Sequence, residues 1–164
     1  MGFNLVKFKY VDLPPQGGVL IGFDFGLGKF TKEDLIYAMR PIFLTSKGMI
    51  AGEEQGLFRD VQVGGRLFKS KVERTVRVLA KPGYAVGGIW MRTGLFFDGM
   101  AMRYMKINGR VLNPRDAYDS DWVGNTKGGS PTTLSGGGAP ILGVQGGKDE
   151  EHLLSMGVLC MSRL

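Results

Sequence analysis

The chain has few of the residue types from which most catalytic and metal sites are built. Its 164 residues include one cysteine, Cys160, and one histidine, His152. A single cysteine excludes an internal disulfide and a cysteine-based zinc cage, and a free cysteine is most often a small buried hydrophobe. There is no Gly-x-Ser-x-Gly elbow. The sequence therefore predicts a protein that is not an enzyme, with no catalytic residues, no metal site and no cofactor.

Long apolar runs are also missing. Glycine or charge interrupts every apolar stretch before it reaches the length of a bilayer span. Met1–Tyr10 lacks the long apolar core of a secretory signal. We expect no membrane insertion. The sequence leaves the compartment open, and its single cysteine is compatible with the cytoplasm.

Positive charge is in excess, but it is not concentrated. The net charge is +6, and the densest basic group lies between Lys69 and Lys81. On a strand, Arg74 and Arg77 would point to opposite faces, so this group does not form a stripe that follows a phosphate backbone. We interpret it as a solvated surface and expect no nucleic-acid binding.

Glycine is the abundant residue. The chain has 27 glycines, dispersed along its length, and only seven prolines. Such a composition suits many tight turns and strand corners and serves long helices poorly. It favours an all-β fold.

An internal repeat organises the chain. Three segments place one glycine directly before an apolar residue, and a second apolar strand follows each of them after a turn. Met39, Met100 and Met156 share one register in those second strands, so we expect them to meet in a common core. The first strands are Val19–Phe25, Ala85–Met91 and Pro140–Gly146, and the second strands are Ile36–Phe43, Phe97–Tyr104 and Leu153–Cys160.

One segment has two interpretations. Thr31–Arg40 resembles a capped helix that Pro41 ends. The repeat instead predicts a strand from about Leu35, after an enlarged turn over residues 30–34. We favour the strand, because tertiary context overrides local propensity.

A flanking segment accompanies each hairpin. Val72–Leu79 precedes the second copy, Pro131–Leu134 precedes the third, and Asn4–Val11 is expected to serve the first. A single hairpin cannot bury its apolar face, whereas three packed around an axis can. We predict one domain over 1–164, with repeats at about 1–50, 51–112 and 113–164.

These residues resemble a known family. Tyr84–Met100 and Gly124–Leu134, the latter followed by Pro140–Val144, are similar to parts of the jacalin-related mannose-binding lectins, a likeness that extends over roughly Gly17–Cys160. Pro14–Phe30 also resembles a related jacalin-like module that opens with Pro-Pro-Gln-Gly-Gly and has no established activity. The resemblance implies a β-prism I fold of three Greek keys with pseudo-threefold symmetry.

The resemblance also implies a sugar site. In that family a Gly-x-x-x-Asp loop binds sugar together with a Gly-Gly turn of the neighbouring Greek key. Here the motif is matched once, in the second copy; Tyr37 and Leu154 stand at the aspartate position in the other two. The predicted carbohydrate-binding residues are Gly94, Leu95, Phe96, Phe97, Asp98, Gly128 and Gly129.

Two functions follow from these observations. The first is a lectin-like module in which the Asp98 carboxylate accepts hydrogen bonds from sugar hydroxyls. The second is a structural or protein-interaction module on the same prism, which binds no sugar and uses an edge strand or exposed aromatic face to recruit a partner or another copy; it could also be attached to other domains. Sugar-dependent binding separates the two.

Overall fold

The computed structural model describes residues 6–161, all of them in strands, turns and loops. None of these residues lies in a helix, which confirms the predicted all-β class. The strands are β1 (Phe8–Asp12), β2 (Val19–Phe30), β3 (Glu33–Thr45), β4 (Gly48–Ala51), β5 (Gln55–Gly56), β6 (Val61–Val63), β7 (Arg66–Phe68), β8 (Arg74–Leu79), β9 (Tyr84–Thr93), β10 (Phe97–Asn108), β11 (Val111–Asp119), β12 (Val123–Gly124), β13 (Ser130–Ser135), β14 (Ile141–Lys148) and β15 (Leu153–Cys160).

Three antiparallel hairpins, β2–β3, β9–β10 and β14–β15, form the body of the fold. Each has the same irregularity, since its first strand contains one extra residue directly before the glycine of the repeat. Such a bulge bends the strand and increases its twist. The identical position of the bulge confirms the predicted threefold repeat. The extra residue and its glycine are Ile21–Gly22, Gly87–Gly88 and Leu142–Gly143.

An outer strand pairs with the first strand of each hairpin. β8 lies on β2 and β13 lies on β9. β1 lies on β14, with Val11 opposite Gln145. The prediction that the amino-terminal segment serves the first copy is therefore wrong: it completes the third. β8 and β13 thus pair with the hairpin that precedes them in the chain, and β1 pairs with the last hairpin.

The core lies between the three hairpins. Met39, Met100 and Met156 are all buried in one apolar cluster, as their shared register predicted. The residues that follow the repeat glycines, Phe23, Ile89 and Val144, belong to the same cluster. Three hairpins, each with one apolar face, thus bury that face against the other two.

Residues 33–45 form strand β3, so the helical interpretation of Thr31–Arg40 is wrong. The turn before β3 is also tighter than expected. β2 runs to Phe30 and pairs it with Glu33, which leaves only Thr31 and Lys32 between the strands. Burial of the apolar residues of β3 outweighs the local helical propensity of the segment.

The tight turn stores backbone strain at Thr31. Its φ is 59°, the only positive φ of a non-glycine residue between 6 and 161. A left-handed conformation costs an L-residue about 1–2 kcal/mol, and glycine avoids this cost. Glycine also loses more conformational entropy on folding, which offsets part of the gain. We expect Thr31→Gly to raise the free energy of unfolding by about 0.5–1 kcal/mol. Urea denaturation measures it, with Lys32→Gly as the control that gains nothing; equal or lower stability of Thr31→Gly would contradict the assigned strain.

Cys160 is exposed, so the prediction of a buried cysteine is wrong. The reason is topological: within residues 6–161, β15 pairs only with β14 and has no strand on its other side. Among the same residues, no helix has the length and apolar character that a bilayer span requires.

Candidate functional site

The candidate site lies where the β9–β10 turn meets the connection between β12 and β13. The turn is closed by a hydrogen bond of 2.9 Å that the Gly94 amide donates to the carbonyl of Phe96. Asp98 follows as the second residue of β10 and is half-buried. On the other side, the Asn125 amide donates to the carbonyl of Asp98 over 2.8 Å. Backbone bonds thus hold the residue from both directions.

Asp98 is itself the extra residue of a second bulge. In the β9–β10 ladder Phe97 pairs with Thr93 and Gly99 with Arg92, which leaves Asp98 without a partner. Tyr37 and Leu154 are unpaired in the same way in the other two hairpins. The structure therefore places these three residues at equivalent positions, as the sequence alignment had them. Bulges of this kind redirect a side chain and are common beside binding sites.

The structure brings Gly128 and Gly129 against the Asp98 carboxylate. A Cβ added to Gly128 would lie 2.6 Å from Oδ1, and one added to Gly129 would lie 2.5 Å from Oδ2. Gly129 also has a φ of 58°, which favours glycine. Only glycine leaves room for the carboxylate at this turn. The role of these residues in sugar binding stays a prediction.

Arg92 holds the glycine turn in place. Its Nε donates to the carbonyl of Gly128 over 2.6 Å, and a terminal nitrogen donates to the carbonyl of Gly129 over 3.1 Å. Sequence reasoning missed this residue, because an arginine near the end of a strand is an ordinary surface residue. Its place two residues before the Gly94–Asp98 loop was the only signal.

Trp122 contacts the connection between β12 and β13 that leads to this turn. Its indole Nε1 donates to the carbonyl of Asn125 over 3.0 Å, and the ring lies where a side chain on Gly99 would be. The Asn125 side chain in turn accepts the amide of Lys127 over 2.9 Å. The connection before β13 is thus built by local side-chain bonds.

Two opposing effects act on the Asp98 carboxyl. Its partial burial raises the pKa above the ordinary value of 3.8, and the nearby charge of Arg92 lowers it again by a smaller amount. No hydrogen bond from a described residue contributes to that pKa. The carboxylate is therefore held in place by its backbone, while its oxygens have acceptor capacity left for a ligand.

The three apolar residues of the loop have different environments. Leu95 is exposed, whereas Phe97 is completely buried in the core. The Phe97 ring therefore does not line the loop surface, because the bulge at Asp98 turns it inward, and the role of Phe97 in sugar binding stays a prediction. Phe96 is half-buried and packs against Phe30, Tyr37 and His152, at ring-centroid distances of 5.5, 6.2 and 5.6 Å. It links the turns of the three hairpins.

The first copy keeps the backbone of this site without its carboxylate. A Cβ on Gly56 would overlap the carbonyl of Tyr37, just as one on Gly124 would overlap that of Asp98. The Tyr37 ring fills the equivalent position, with the Lys71 ammonium 5.7 Å from its centroid. Of the three equivalent bulge positions, which all lie within residues 6–161, the one in the second copy has a carboxylate.

Solved structures of lectins share this fold. A prostate-specific WGA16 glycoprotein lectin superposes with a TM-score of 0.64 at 14% identity, over 97% of this chain and 94% of that one. Artocarpin in its mannotriose complex gives 0.58 at 12% identity, over 99% and 100%. A Malaysian banana lectin gives 0.56 at 13% identity, over 99% and 94%. The chain has the β-prism fold of jacalin-like lectins, as the resemblance implied.

No protein-family model matches the chain, and no curated protein matches it significantly. The resemblance of Pro14–Phe30 to the Pro-Pro-Gln-Gly-Gly module therefore stays a prediction.

Proposed function

We propose that this chain is a non-catalytic carbohydrate-binding module with one sugar site, centred on Asp98. The observation that carries the proposal is the contact of the Asp98 carboxylate with Gly128 and Gly129. A carboxylate fixed by its backbone, beside a turn without side chains, suits a ligand with adjacent hydroxyl groups.

The chemistry follows from the two halves of the site. Adjacent sugar hydroxyls donate to the Asp98 oxygens in charge-assisted hydrogen bonds, which are stronger than neutral ones. The bare turn lets the sugar ring approach the backbone closely, and Leu95 provides an exposed apolar surface beside it. With few polar contacts, a single site is expected to bind with a Kd on the order of 1 mM, which multivalent presentation strengthens.

The structural neighbours support the choice of ligand class. Two solved structures of artocarpin are complexes with mannose ligands, methyl-α-mannose and mannotriose. Mannose-containing saccharides are accordingly the first probes for this chain. At 11% and 12% identity, these structures show the fold that they share with this chain, and its sugar preference is left to experiment.

A glycan array tests the proposal. Wild type and Asp98→Ala are both applied as multivalent preparations, because a weak single site is otherwise missed. We expect sugar-dependent signals on the wild type that the variant lacks. Absence of any sugar-dependent signal from either protein rejects the proposed function.

Saccharide binding is expected to weaken as the pH falls. Only the ionised carboxylate offers two acceptor oxygens, and its raised pKa means that protonation begins at a higher pH than for an ordinary aspartate. Affinity should be constant near neutral pH and decline with a midpoint above 3.8. Titrations at decreasing pH, with circular dichroism to verify the fold, measure this. Affinity that rises on acidification would exclude Asp98 as the acceptor.

A further inference from the structure

Among residues 6–161, the third hairpin has no outer strand of the kind that flanks the second strand of the other two. β3 is flanked on its outer side by β4 and β5, and β10 by β11 and β12. The equivalent strand, β15, has no such neighbour among residues 6–161. The carboxyl-terminal half of β15 is therefore an open sheet edge.

Because the described part of the chain supplies no outer strand to the third hairpin, one position equivalent to the core is uncovered. Phe43 and Tyr104 are 0% and 1% exposed, and they pair with Ile50 of β4 and Tyr118 of β11. Cys160 occupies the same register position in the third hairpin, since it pairs with the residue before the bulge, and it is exposed. Over the stretch from 6 to 161, the repeat is complete in its inner strands and lacks an outer strand at this edge.

The β15 edge also lacks the usual protection. Natural proteins guard exposed edges with charge, proline or short strands. The other edge strands of five or more residues follow this rule: β1 contains Lys9, β8 Arg77, β11 Pro114 and β13 Pro131. β15 has eight residues, Leu-Leu-Ser-Met-Gly-Val-Leu-Cys, with neither a charge nor a proline.

We propose that β15 pairs with β15 of a second copy of this chain in antiparallel orientation. In a twofold-symmetric pair the two facing strands have the same sequence. Charged residues on such an edge would therefore lie close to like charges on the partner strand. β15 has no charge and avoids that cost. β4 and β11 cover the equivalent edges in the same antiparallel orientation. The dimer would join two three-stranded sheets into one of six and cover Cys160.

Size-exclusion chromatography with light scattering tests the pairing. The chain has a mass of 17.9 kDa, and wild type is expected at twice that mass when concentrated and to dissociate on dilution. Leu159→Lys and Met161→Lys introduce a charge at the edge and should remain monomeric. Val63→Lys is the matched control, because Val63 is an exposed valine of the separate β6–β7 hairpin. It should leave the dimer unchanged.

Alkylation of Cys160 gives a second readout. The proposal predicts that the rate of alkylation falls as the wild-type concentration is raised, and that it is independent of concentration in Leu159→Lys. A monomeric wild type at the highest soluble concentration overturns the proposal. A dimer that survives both lysine variants, with their fold verified by circular dichroism, overturns it as well. Neither outcome depends on whether the Asp98 site binds sugar.

Discussion

Asparagine in place of Asp98 is expected to weaken saccharide binding about 30–160-fold, since a hydrogen bond to a charged group contributes roughly 1–1.5 kcal/mol more than a neutral one and the substitution affects two such bonds. The substitution keeps the shape of the side chain, so the contacts with Gly128 and Gly129 are preserved. It removes the charge and replaces one acceptor oxygen by a donor. The loss therefore reports on the carboxylate itself, and calorimetric or NMR titration measures it.

Asp119→Asn is the matched control. Asp119 is an exposed aspartate of the second copy that forms an ion pair of 2.8 Å with Arg103. It lies on β11, on the outer side of β10. An exposed ion pair of this kind contributes little, so its loss should leave the affinity for saccharide within about twofold of the wild type. An equal loss in both variants would point to a general charge effect and against an Asp98 site.

Alanine in place of Gly22 is expected to destabilise the fold by about 2–4 kcal/mol, as overpacking against backbone does. A Cβ there would overlap the carbonyl oxygen of Val78 and lie 2.9 Å from the Cα of Leu79. Both atoms belong to the backbone of β8, so relief requires moving a paired strand. Urea denaturation measures the change in the free energy of unfolding.

Gly88→Ala is the control within the repeat. The same position in the second copy has more room, because the nearest atom to a Cβ is the carbonyl oxygen of Leu134 at 3.6 Å. That distance is an ordinary van der Waals contact. We expect a change of about 1 kcal/mol or less. A Gly22→Ala protein as stable as Gly88→Ala would contradict the packing of β8 on β2.

The inner hairpins could be predicted from the sequence because their signals are local. A glycine before an apolar residue and a methionine at fixed spacing mark the register of Met39, Met100 and Met156, and the structure confirms it. The partner of β1 could not be predicted. Its pairing with β14 joins the two ends of the chain, and alternation within one strand contains no information about which distant strand it meets.

The candidate site was predictable in part for the same reason. The motif that ends at Asp98 and the Gly128–Gly129 pair are visible as short patterns, and the structure brings them together. The inward turn of Phe97 was not visible, since it depends on a bulge that breaks the alternation of the strand. Arg92 was missed because its two acceptors are backbone carbonyls some 36 residues away along the chain.

An NMR titration of the isotope-labelled chain with a mannose-containing oligosaccharide tests the Asp98 site most directly. We expect amide shifts to concentrate in residues 94–98 and at Gly128 and Gly129, to saturate with a Kd on the order of 1 mM, and to disappear in Asp98→Asn. Saturable shifts that leave these amides unmoved would contradict the proposed site.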